Sequence, residues 1–75
     1  MKAVILSIDG VKEIDELRTR LFGNKIYVDI EISADGNKTL FEAHEIAEHV
    51  HDAIERNFPK VKHVMVHVNP HLLSE

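Results

Sequence analysis

Cysteine and tryptophan are absent from this chain, and it has only three glycines, two prolines, one tyrosine and three phenylalanines. Without cysteine there is no disulfide, no zinc ribbon and no thiol nucleophile, which fits a reducing compartment. Three glycines spaced well apart build no phosphate-cradling loop, and Ser7, Ser33 and Ser74 stand in no nucleophile-elbow motif, so the chain does not read as an enzyme. The longest apolar run, Ala3-Val4-Ile5-Leu6, is far below the roughly 20 residues that span a bilayer. The first residues also lack the pattern of a signal peptide, so no direct membrane insertion is expected. Basic residues number 9 against 13 acidic ones, a net charge of −4. Nucleic acid is thereby disfavoured, because neutralising phosphates requires clustered Lys and Arg. The same balance suits a cation.

What remains is enough for one small domain over residues 1–75. A domain of this size buries only about 60% of its unfolded surface, so oligomerisation or bound metal is expected to supplement the core. Residues 2–8 form a short apolar segment before Asp9-Gly10, either a helix closed by Gly10 at its C-cap or a strand, with helix preferred. Val11 to Phe22 mixes β-branched and charged residues and runs into Gly23-Asn24, a turn signal. Ile26, Val28, Ile30 and Ile32 then alternate with Tyr27, Asp29, Glu31 and Ser33, as in a strand buried on one face. The two segments make a hairpin through Gly23-Asn24.

After the loop 34–37, Thr39 and Glu42 match a capping box. The helix that follows carries Leu40, Ala43, Ala47, Val50, Ile54 and Phe58 within roughly 80° of arc, and Pro59 ends it. Val61 to Asn69 alternates again, with Val64, Val66 and Val68 on one face and Val61, His63, Met65, His67 and Asn69 on the other, before Pro70 closes the strand. The order αββαβ leaves each strand one apolar face to cover and each helix one stripe to bury. That predicts an α+β two-layer sandwich related to ferredoxin-like folds, with helices on one side of a small three-stranded sheet.

Six histidines in so short a chain need a reason. His63, His67 and Asn69 share a strand face at even steps, and Asp29 and Glu31 stand on the matching face of the other good strand. Mixed nitrogen and oxygen donors suit a hard-to-borderline divalent ion. On the helix, His44, Glu48, His51 and Glu55 form a ridge along one border of the apolar stripe, where a sheet edge or partner subunit would meet it. A solvated helix face with charge pairs explains that ridge equally well. His49 and His71 have no obvious co-ligand and read as exposed, and Met65 reads as packing.

The ordered series Gly10-Val11, Leu17-Arg18-Thr19-Arg20, Gly23, Tyr27-Val28-Asp29-Ile30-Glu31-Ile32, Glu42-Ala43-His44-Glu45-Ile46-Ala47, Phe58-Pro59 and Val66-His67-Val68-Asn69-Pro70 resembles the cytoplasmic C-terminal domain of cation diffusion facilitator transporters. The resemblance covers roughly residues 3–70 and implies a metallochaperone-like αββαβ fold that forms a V-shaped homodimer. It implies attachment to a native transmembrane transporter domain on the cytoplasmic side, so that this chain does not transport by itself. It also implies regulation, in which metal bound between two such domains favours their approach. Carried over by position, His44 and His67 occupy the two best-matched ligand positions, and Glu31 and Asp15 stand as carboxylates where zinc-binding members often have His. Asn69 replaces an acidic residue that can bridge two metals, and a neutral amide bridges poorly. The expected metal is Zn²⁺, with Mn²⁺, Fe²⁺ or Co²⁺ as alternatives. A purely structural dimerisation module and a free-standing soluble metal carrier are the competing readings.

Overall fold

The computed structural model describes residues 1–71; the segment 72–75, with Ser74, and the side chain of His71 lie outside the described residues. Five elements follow in the expected order: α1 (Lys2–Leu6), β1 (Glu13–Phe22), β2 (Lys25–Asp35), α2 (Leu40–Asn57) and β3 (Val61–His71). The strands lie in the order β1-β2-β3, with β1 antiparallel and β3 parallel to the central β2. A two-residue connection suffices for the antiparallel pair, whereas the parallel pair requires a crossover, which α2 supplies.

The β1–β2 turn is the expected one. Phe22 pairs with Lys25, and Gly23 takes a positive φ of 61°, which L side chains adopt reluctantly. The capping box is present at both ends: the Thr39 N–H donates to Glu42 Oε1 at 2.9 Å, and the Glu42 N–H donates to Thr39 Oγ1 at 3.1 Å. That first hydrogen bond stabilises the charged carboxylate and lowers the Glu42 pKa.

The core lies between the helix layer and the inner face of the sheet. Val28, Ile30 and Ile32 of β2 are fully buried against Ile5 of α1 and Val50 and Ile54 of α2. In register with them, Val64, Val66 and Val68 continue the apolar face across β3. The opposite, outer face is left to Glu16, Arg18, Asp29, Glu31, Met65 and His67.

Four details differ from the sequence reading. First, α1 ends at Leu6 with Ser7 as C-cap, its hydroxyl donating to the Val4 carbonyl at 2.7 Å, so Gly10 is not the cap. Gly10 serves a different need: at φ 100° it lets the chain pass so close to α2 that a Cβ there would stand 2.6 Å from Ile46 Cδ1. Second, α2 buries Ile46, Val50, Ala53 and Ile54, while Leu40 is 88% exposed. Its side chain stands at the rim of a groove of about 230 Å³ lined by Ala34, Ala43, Val68 and Pro70, rather than in the core. Third, a register irregularity between Ile26 and Tyr27 puts Val61 opposite Ile26 and His63 opposite Tyr27, so Val61 joins the core instead of the outer face. Fourth, Pro70 pairs within β3 instead of ending it, as an edge strand tolerates a missing N–H.

Candidate metal centre

At the end of the outer face away from the hairpin turn, three strands bring polar side chains together. Glu31 of β2 lies in register with Glu16 on one side and His67 on the other. Two residues along, Ser33 pairs with Glu13 and Asn69. Asp15 enters through a β-bulge, for the register shifts between Ile14 and Glu16 and leaves it as the extra residue. Asp15 and Glu16 therefore both serve the outer face, where a regular strand would deliver one side chain.

The bulge residue is tied to the far strand. Asn69 Nδ2 donates to Asp15 Oδ2 at 3.0 Å and to Glu31 Oε1 at 3.3 Å, drawing two carboxylates to one carboxamide across the sheet. Arg18 approaches the same group from the other side. Its Nε stands 3.4 Å from Glu16 Oε2 and its Nη2 stands 3.9 Å from Glu31 Oε2. Beneath these groups, Ser33 is only 4% exposed and its Oγ has no hydrogen-bond partner among the described residues.

Of the five residues singled out in the sequence, the structure thus links Asp15, Glu31 and Asn69 by hydrogen bonds and sets His67 beside Glu31. His44 does not join them. It lies on α2, in the layer that covers the inner face, is largely exposed, and faces Glu48 at 3.5 Å. His63 is four residues from His67 along the strand, roughly 13 Å at the usual rise, and its ring lies 5.5 Å from that of Tyr27. Asp29 is engaged elsewhere, accepting a 2.9 Å hydrogen bond from Arg20 Nη2. On α2, His51 lies 3.5 Å from Glu55 and 3.7 Å from Asp52. Among the described residues this is the group whose imidazole and carboxylate donors converge within 4.8 Å.

Sequence reasoning passed over Glu16, Arg18 and Ser33. Glu16 and Arg18 are separated by an even step and so share a strand face, but the bulge at Asp15 breaks the alternation that would have displayed it. Ser33 carried no signal, because its burial depends on what the neighbouring strands place over it.

Chemically, two carboxylates, an imidazole and an amide form a donor set of the kind that borderline divalent ions accept, and one richer in oxygen than in nitrogen. An amide N–H₂ donating to two carboxylates holds them together without neutralising their charge, and the amide oxygen becomes available if the group turns over.

The layer order and strand topology define the class, a small ferredoxin-like α+β domain. The family is equally definite. Residues 1–71 match the family described as cation efflux protein, cytoplasmic domain, and the chain belongs to it. It is a cytoplasmic dimerisation domain of cation diffusion facilitator transporters. The manganese efflux system protein MneP of Bacillus subtilis is 40% identical over 70 residues, which are 93% of this chain and 24% of that protein. Metal tolerance protein C1 of Arabidopsis thaliana is 36% identical over 74 residues, 99% of this chain and 16% of that protein. The cation-efflux pump FieF of Citrobacter koseri is 36% identical over 67 residues, 89% of this chain and 22% of that protein. The chain thus spans a quarter or less of the length of these relatives. Among solved structures, a MamM CTD in a cadmium form superposes with a TM-score of 0.89 at 27% identity, covering 93% of this chain and 86% of that one. Another MamM CTD variant gives 0.91 at 25% identity, covering 96% and 86%. Among the described residues no helix is long and apolar enough to cross a membrane.

Proposed function

We propose that the outer face of this domain is a divalent-cation site through which metal regulates a cation efflux transporter. The observation that carries this reading is the Asn69 carboxamide donating to both Asp15 and Glu31, with His67 next to Glu31 in register. Elsewhere on the outer face Asp29 has a tight arginine partner. The proposed ligands are Asp15, Glu31 and His67, with Asn69 able to turn its oxygen toward the ion. His44 lies in the helix layer and enters such a site only from a second subunit. Metal is needed only as a bias: an ion that binds the closed homodimer tenfold better than the open one shifts their balance by about 1.4 kcal/mol.

Zinc remains the expected ion from the imidazole positions, and the carboxylate-rich set also suits Mn²⁺, the ion that MneP's name carries. Imidazole must be neutral to bind metal, so affinity falls as pH drops through the imidazole range. Calorimetric titration of the metal-stripped chain with Zn²⁺ and with Mn²⁺ tests the reading. Saturable binding that is lost on combining Glu31→Gln with His67→Ala supports it. Heats of dilution alone would instead leave a structural dimerisation module.

A further inference from the structure

The two arginines of Leu17-Arg18-Thr19-Arg20 point to the same face yet hold their carboxylates differently. Arg20 makes a 2.9 Å hydrogen bond to Asp29, whose side chain is 25% exposed. Arg18 spans two looser pairs, at 3.4 Å to Glu16 and 3.9 Å to Glu31, whose side chains are 48% and 35% exposed; the two arginines themselves are about equally exposed. The two oxygens of Glu31 are thus divided: Oε1 takes the Asn69 amide and Oε2 faces the guanidinium. Contacts beyond 3.2 Å are long for an N–H···O bond, and exposed pairs of this kind are weak and screened by salt.

Resting on the reading of Glu31 as a ligand, we propose that Arg18 is a tethered counter-cation that a divalent ion displaces from Glu31. It thereby sets the affinity of the outer-face site. In the metal-free domain it offsets the mutual repulsion of Glu16 and Glu31, which lie in register on adjacent strands. An incoming ion has to outcompete one positive charge already in place. The site therefore binds a divalent ion less tightly than it would without the guanidinium. Arg20 has no such part, because Asp29 keeps it.

The test compares the intact chain with its Arg18→Gln and Arg20→Gln variants by calorimetry with Zn²⁺ at low and at high NaCl. Removing Arg18 should tighten binding by about fivefold at low salt, the upper end of what an exposed ion pair contributes, and by less at high salt. Removing Arg20 should change it less than about twofold. In ¹⁵N-labelled wild-type chain, the Arg18 side-chain Nε–H resonance should shift in step with zinc occupancy while that of Arg20 stays in place. Unchanged or weaker binding in Arg18→Gln, or equal tightening in both variants, overturns the proposal by reducing Arg18 to one charge among several. A Glu31→Gln control separates the two readings. Undiminished binding in that variant, or no binding in the wild type, removes the metal site itself and the role of Arg18 with it; lost binding keeps the site and leaves Arg18 to be judged by its own variant.

Discussion

The two faces of the sheet are written in the same three strands by the same alternation, yet they do different work. On the inner face Val28, Ile30 and Ile32 are fully enclosed and carry the fold. On the outer face Glu31, between two of them in sequence, keeps about a third of its side chain in solvent, and its contacts with Asn69 and Arg18, at 3.3 and 3.9 Å, are long. Side chains one step apart therefore fall into separate energetic classes. Fixed packing on one side leaves polar groups on the other free to exchange partners without loss of structure.

Substitutions on the two faces should separate accordingly. Ile30→Ala opens a cavity at the centre of the inner face and should cost about 3–4 kcal/mol in chemical denaturation, enough to unfold much of a domain this small. Gly10→Ala comes next, at about 2 kcal/mol, because it combines a positive φ with a Cβ placed against Ile46. Should Gly10→Ala melt like the parent, the close approach of that loop to α2 is wrong. Removing the Thr39 hydroxyl in Thr39→Ala should cost about 1 kcal/mol through loss of the helix cap. The same cap sets a pH dependence. The Glu42 carboxyl is held below its ordinary range chiefly by the hydrogen bond from the Thr39 backbone, so its stabilisation is complete above that range and is lost as pH falls through the lowered value. Acid titration of Glu42→Gln beside the parent should therefore show two curves converging at low pH. Smallest of all, Glu31→Gln should leave stability within about 0.5 kcal/mol while changing metal binding. A large loss of stability there would mean that the outer face is structural after all.

How much of this was legible in the sequence depends on how local the cause is. The hairpin turn, the capping box and the strand 26–32 each rest on a few adjacent residues, and each stands where the alternation or spacing put it. Glu31 and Asn69 follow from the strand alternation and Asp15 from a resemblance, but the three are brought together, across as many as 54 residues of chain, by a strand order that no local pattern encodes. What escaped notice depends on position rather than residue type. Leu40 is apolar and on the right helical face, but the first turn of α2 carries it to the rim of a groove. Val61 alternates correctly until the register slips beside it. His44 satisfies a ligand pattern on a helix that the sheet separates from the other donors.

The bulge at Asp15 bears on how such a domain tolerates insertion and loss of residues over its history. Deleting a residue from the interior of a strand normally turns every later side chain to the wrong face. At this point the reverse holds: without Asp15, Glu13, Ile14, Glu16, Leu17 and Arg18 would alternate regularly, and the pairing from Glu16 to Phe22 would be kept. One codon at this position can therefore add or remove a carboxylate on the outer face while the core remains in register.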